Sequence, residues 1–313
     1  MSKVKIEEAF YGQWGKCVRV YNEIVEVIAT LDFGPRIIRY AAIGKENMFY
    51  EDKEFKITNS GEQFNVFGAH KQWKIYGGHR LWVSPESNPR TYYPDSEKVQ
   101  WSNLENGILL RANEEKWTQV QKEIEINLSP SDSKVTVIHR VKNKGAWPIV
   151  FAPWGLSVMS PGGKEIIPQS IRETGLLPNR QFVLWPYSKI NDTRVNWGDR
   201  YITIKQDPNI QQAFKLGINN ELGWIAYFNN ECLFVKKYNN VVDGNYPDFG
   251  VSYETYTNNI MLEMETLGEL SETKPNETVE HIEEWYLFEN VKIPSNNDYE
   301  IEEIMNPYIN YIM

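Results

Sequence analysis

A chain of 313 residues with a formal charge of −9 and no lysine- or arginine-rich stripe can bury a substantial core and is a poor match for nucleic acid. No apolar run approaches the roughly 20 residues needed to cross a bilayer. The polar beginning MSKVKIEEAFYGQWGK lacks the apolar segment of a secretory signal, so the chain reads as cytoplasmic, with neither membrane nor nucleic acid as a partner. The cysteines, Cys17 and Cys232, show neither a zinc spacing nor a disulfide framework, and both read as free thiols.

From residue 15 onward the pattern is that of strands. KCVRVYN, EIVEVIATL and RIIRYAAI are punctuated by Asn22-Glu23 and Phe33-Gly34-Pro35, which predicts antiparallel pairing. Between Asp52 and Gly68 the alternation weakens into a polar loop suited to lining a cleft.

The span from Trp73 to Asp95, WKIYGGHRLWVSPESNPRTYYPD, then packs several kinds of site chemistry together. Gly77 and Gly78 let the backbone turn tightly ahead of His79 and Arg80, and Leu81, Trp82 and Val83 read as a short strand closed by Pro85-Glu86. A group that titrates near neutrality, a permanent cation and flanking aromatic rings suit a small polar ligand with apolar faces, of which a sugar is the commonest. A buried, hydrogen-bonded histidine beside a structural ion pair is the other reading of the same residues.

Further strands follow at GILLRA, KEIEINLS and KVTVIHRVKN, the last of which places His139 on an apolar face with Val135, Val137 and Val141, where a structural role is expected. The run from Trp147 to Gln169 has little polar alternation and predicts a strand covered on both faces; Trp154, between Pro153 and Gly155, either fills the core or turns its ring toward a cavity. Residues 181–238 carry hairpin-like units, with Asn229-Asn230 as a tight-turn signal. In NIMLEMETLGEL, period-2 alternation sets Glu263 and Glu265 side by side with Met261 and Leu267. Such a face either meets cations or looks into a wet cleft, and each carboxylate raises the pKa of the other. VEHIEEWYLFE closes the sheets, and the tail predicts a short helix limited by Pro307. The whole predicts an all-β fold: one large antiparallel β-sandwich over residues 1–313, with a short C-terminal helix.

GPRIIRYAAIGKENMFYE, WKIYGGHRLWVSPE, APWGLSVMSPGG, LEMETLGEL and EEWYLF, in that order, resemble a bacterial family of unknown function within the galactose mutarotase-like superfamily, over roughly Trp14 to Phe288. The resemblance implies the large sandwich of the aldose 1-epimerases with a carbohydrate cleft on one sheet. It also implies a histidine acid and a late glutamate base, which carry over to His79 and Glu265 as catalytic residues. Arg80, Trp82, Glu86, Trp154 and Glu263 are then expected to bind a monosaccharide or oligosaccharide, and no metal or organic cofactor is expected to be needed. The chain departs from the pattern at Ala152-Pro153-Trp154-Gly155, where mutarotases carry a second histidine, and in its Gly-Gly-His order. A non-catalytic carbohydrate-binding module is the alternative, with Trp154 as a stacking face. A lyase or hydrolase pairing Glu86 with Glu265 across roughly 5 to 9 Å is a third.

Overall fold

The computed structural model describes residues 3–313. Two antiparallel sheets face one another across the main apolar core, as the alternating strands predict. One sheet has 11 strands, and its middle runs in the order Arg36–Ala42, Gly78–Ser84, Ile149–Met159, Leu262–Leu267, Tyr253–Thr257 and Phe214–Ile218. The other has 10, centred on Trp224–Asn229, Cys232–Tyr238, Thr278–Glu289 and Val135–Asn143. The inward faces meet through side chains such as Tyr40, Phe49, Met264, Phe234 and Trp285, with the Phe49 ring edge-to-face against Phe234 and Trp285.

The outer faces of the two sheets are treated differently. On the second sheet, Trp224, Phe228, Val235 and Tyr286 are covered by the helix Asp298–Ile312 through Ile301, Met305 and Ile312. Asn297 caps that helix by accepting from the backbone amides of Tyr299 and Glu300. It is the short C-terminal helix that EIEEIMNPYINYI predicts, and it runs through Pro307. Both Pro307 and Glu303, whose carbonyl loses its usual donor, are exposed, where solvent replaces the missing bond. No helix among the described residues is long and apolar enough to cross a membrane.

On the first sheet the outer face is covered instead by residues 52–76, where the expected polar loop contains a 3-10 turn, Glu62–Phe67, and a small hairpin pairing Thr58–Asn59 with Trp73–Lys74. Phe64, Trp73 and Ile75 from this segment pack on Trp82, Trp154 and Leu156. Gly78–Ser84 and Leu262–Leu267 are consequently buried on both faces. Asn230 and Glu231 join two strands of the second sheet with φ of 50° and 59°, the left-handed pair that a two-residue hairpin turn requires. Cys17 and Cys232 are free and buried.

Gly77 and Gly78 are fixed by crowding as well as by φ values of 102° and 66°. A Cβ at Gly77 would lie 2.0 Å from the Tyr50 carbonyl oxygen, and one at Gly78 would lie 2.2 Å from that of Ile37. Gly78→Ala is therefore expected to lower stability by more than about 2 kcal/mol. Gly44→Ala and Gly162→Ala, which share a positive φ but meet nothing within 4 Å, should lose only about 1 kcal/mol. Urea midpoints for the three variants test this; equal losses would show that backbone approach is not what the glycine pair serves.

Candidate functional site

Cross-strand register assembles the site. Arg80 lies opposite Leu156, Leu156 opposite Glu265, and Glu265 opposite Glu254, so one row of side chains crosses four adjacent strands on the outer face. Trp82 and Trp154 form a neighbouring row, and Glu263 with Tyr256 another. Lys215, opposite Tyr256, brings an ammonium onto the same face. All of these except Glu254, with Trp73 and Tyr92, line a cleft of about 320 Å³. Glu86 sits at its rim, just past the end of the Gly78–Ser84 strand.

The charges in the cleft are paired. Arg80 Nη1 donates to Glu263 Oε1 at 2.8 Å, with the guanidinium 4.2 Å from the centre of the Trp82 ring. Lys215 Nζ lies 2.7 Å from Glu254 Oε2 and 3.1 Å from Glu265 Oε2, between the rings of Trp154 and Trp185 at 4.8 and 4.7 Å. Burial pushes the Glu265 carboxyl up to about 7, against the pull of Lys215 and with help from Glu263. Burial likewise raises Glu254, and although burial opposes the charge on Lys215, its two carboxylates hold that amine well above the ordinary lysine range. Several buried polar atoms here have no hydrogen-bond partner among the described residues: Trp73 Nε1, Trp154 Nε1, Arg80 Nε, Glu254 Oε1 and Glu265 Oε1.

Of the residues expected from the sequence, Arg80, Trp82, Glu86, Trp154, Glu263 and Glu265 all line this cleft. His79 does not, which corrects the expectation that it faces Glu265 across one hollow. Adjacent residues on a strand point to opposite faces, so with Arg80 outside, His79 enters the core between the sheets, where it is 0% exposed. There its Nδ1 lies 2.8 Å from Ser157 Oγ and its Nε2 2.6 Å from His139 Nε2. His139 Nδ1, 2.9 Å from the carbonyl of His281, must be the protonated nitrogen of that ring. Its Nε2 thus accepts from His79 Nε2–H, and His79 Nδ1 accepts from Ser157. His139 has the structural position its apolar face predicted. Beyond it, Thr266 Oγ1 lies 2.7 Å from His281 Nε2 and donates to Glu283, which also receives Trp285 Nε1–H at 2.6 Å and the Lys236 ammonium at 3.2 Å.

His79, His139 and Glu283 are also the one group among the described residues whose ligand atoms lie close enough for a metal ion, within 4.8 Å of one another. Both nitrogens of His79 and His139 are already engaged, and the Glu283 oxygens are held by Thr266, Lys236 and Trp285. The donor set is complete without an ion.

Lys215, Glu254, Trp73 and Trp185 were not singled out in the sequence. For Lys215 and Glu254 the signal was present as alternation: AFKLG and SYETYT each set a charge between residues that face the core.

No family model matches the chain, and no curated protein matches it. Solved structures do. A provisionally named aldose 1-epimerase from Klebsiella pneumoniae superposes with a TM-score of 0.61 at 11% identity, covering 100% of this chain and 88% of that one. A galactose mutarotase-like protein from Lactobacillus casei gives 0.57 at 9% identity, over 87% of this chain and 100% of its own. The fold is galactose mutarotase-like. A TPR-domain-containing protein from Parabacteroides distasonis carries the fold too, with a TM-score of 0.60 at 13% identity, and the chain, 89% of which is covered, spans 48% of its length. The galactose mutarotase-like sandwich of this chain thus holds its histidine group inside and its carboxylates and cations in the cleft.

Burial lowers the pKa values of His79, His139 and His281, the last to about 3. The folded protein rejects protons that the unfolded chain accepts below an ordinary histidine pKa of about 6.5, so stability is retained above that pH and falls as the pH drops from about 6.5 toward about 3. Urea denaturation across this window should show that decline, with a shallower slope for His281→Gln. A flat profile between about pH 7 and about pH 5 would mean that these rings are not held neutral in the core.

Proposed function

We propose that this cleft binds a monosaccharide or the end of an oligosaccharide and that Glu265 exchanges the proton of the anomeric hydroxyl, interconverting anomers as an aldose 1-epimerase does. The observation that carries the reading is a buried carboxyl with a pKa near 7 and an unpartnered oxygen, in a cleft walled by indole rings. A base with its pKa near working pH is matched to abstracting a proton from a sugar hydroxyl, and indole faces are matched to a pyranose ring.

In this reading Glu265 takes the proton from the anomeric hydroxyl, the carbonyl forms as the bond from the anomeric carbon to the ring oxygen breaks, and the ring oxygen receives a proton from the Lys215 ammonium. Rotation about the bond between the carbonyl carbon and its neighbour, followed by the reverse transfers, closes the ring with either configuration. Lys215 replaces His79 as donor because it is the cation in contact with Glu265, at 3.1 Å. Arg80, held by Glu263 and unpartnered at Nε, is suited to a ring hydroxyl. The likeness to an aldose 1-epimerase and a galactose mutarotase-like protein supports the substrate class through the fold alone.

One feature favours a second reading, a sugar-binding module without turnover: no histidine lines the cleft.

Polarimetry of pure α-anomers of a panel of aldoses is expected to show faster relaxation with the protein than in buffer for at least one sugar. The rate should rise with pH through about 7 as Glu265 loses its proton. Glu265→Gln should lower kcat by about 10²- to 10⁴-fold and abolish that limb. Trp154→Ala should weaken binding by about two- to tenfold, the equivalent of roughly 0.5–1.5 kcal/mol. Sugars that bind by calorimetry but relax at the buffer rate would leave the binding module; absence of both would end the saccharide reading.

A further inference from the structure

Past Trp154 and Lys215 the cleft continues into a second lobe of similar size, about 320 Å³, walled by Glu86, Asn88, Trp185, Asp248 and Glu254. We propose that this lobe is a subsite for a protonated amino group on the sugar, so that the protein selects amino sugars over neutral ones and disfavours phosphorylated and uronic sugars. The inference rests on the sugar-binding reading above and narrows its substrate class.

Charge balance carries it first. Glu86, Asp248 and Glu254 bring carboxylates to the lobe, and Lys215 is the cation among its lining residues. That ammonium is already engaged by Glu254 and by Glu265 in the first lobe. Glu86 accepts from the Tyr92 hydroxyl and Asp248 from Ser84 Oγ at 3.4 Å; among the described residues neither of these carboxylates is in an ion pair. An anion entering here meets uncompensated negative charge, whereas an ammonium meets its counter-ions.

The second observation is of a different kind, an orphaned acceptor. Glu254 is 0% exposed, yet its Oε1 has no hydrogen-bond partner among the described residues. Glu254 faces the Lys215 ammonium through Oε2 at 2.7 Å; as that ion pair its carboxylate only accepts hydrogen bonds, so the free Oε1 calls for a donor. An ammonium offers three donors, while a phosphate or carboxylate substituent offers acceptors. The indole rings of Trp154 and Trp185, which already hold the Lys215 ammonium over their faces, add further attraction for a cation.

A metal ion does not answer the same demand. Among the described residues the acidic and imidazole groups close enough to share an ion are His79, His139 and Glu283, on the opposite face of the sheet. Carboxylates spaced more widely than that suit a substituent on an organic ligand whose ring fills the first lobe.

Calorimetry at low salt, and at a pH where the amine is protonated, compares glucose, galactose and mannose with glucosamine, galactosamine and mannosamine. At least one amino sugar is expected to bind about tenfold tighter than its neutral parent, the size of effect that one added charge-assisted contact supplies. The corresponding sugar phosphates are expected to bind more weakly than either. In a Glu86→Gln, Asp248→Asn double variant the ratio of amino to neutral affinity should fall toward one. Glu86 is exposed and asparagine tolerates the φ of 49° at position 248, so the fold is preserved for the test. A wild-type ratio of one or less for every pair, or a ratio that the double variant leaves unmoved, overturns the subsite and leaves the sugar-binding reading standing. Failure of all these sugars to bind overturns both.

Discussion

A strand buried on both faces can carry charge only where its neighbours supply the opposite charge, and the middle of the first sheet obeys that constraint throughout. On its outward side Glu263 meets Arg80, and Glu254 and Glu265 share Lys215; across the core, the second sheet obeys it too, with Glu283 meeting Lys236. Pairs of this kind cost several kcal/mol per ion in desolvation, which their attraction only partly returns. Well-packed apolar residues would serve stability as well or better. The outward set is therefore better explained by what it can do than by what it holds together.

The two sides of the sheet differ in how completely they are satisfied. Inside, both nitrogens of His79 and His139 are engaged, and Glu283 receives Thr266, Trp285 and Lys236, so the group is closed and fixes its own tautomers. Outside, guanidinium, indole and carboxyl atoms of Arg80, Trp73, Trp154, Glu254 and Glu265 stay unpartnered although buried. Buried polar atoms are nearly always paired in native proteins, and a concentration of exceptions in one cleft is the mark of a surface shaped for another molecule. The inner group is closed on itself, and the outer group leaves the free donors and acceptors that the proposed sugar reading uses.

The sandwich was legible in the sequence because alternation and turn chemistry act locally. RIIRYAAI, KEIEINLS and KVTVIHRVKN fall on strands, and Asn229-Asn230 falls at a hairpin turn. Glu263 and Glu265 were likewise found on one face from their spacing alone. What a single strand does not specify is which face meets which neighbour. His79 and Arg80 were grouped because they adjoin in sequence, and the pleat separates them for the same reason. Lys215 and Glu254 were missed because their partnership runs across strands that are remote from Gly78–Ser84 in the chain, and no local pattern states a cross-strand register. The C-terminal helix was legible as well, and Pro307 is tolerated inside it because a proline breaks a helix most severely where the freed carbonyl is buried, whereas Glu303 is exposed.

In the proposed reaction, exchanging an imidazole for a lysine held between two carboxylates changes the kind of acid-base chemistry the cleft would perform. An imidazole beside a glutamate gives two groups that titrate near neutrality, and the pair loses function on both sides of a narrow window. Here Lys215 stays charged across that range because Glu254 and Glu265 both raise its pKa, and only Glu265 is poised near 7. The lysine also limits how far Glu265 can rise, since burial lifts that carboxyl while the ammonium pulls it down. Without Lys215 the buried Glu265 would be held neutral and unable to accept a proton; without Glu254 the ammonium would lack its nearer counter-ion, 2.7 Å away. Each member of the trio sets the protonation of the other two, so the proton transfer proposed for the cleft would belong to all three residues together and to the strand register that brings them side by side.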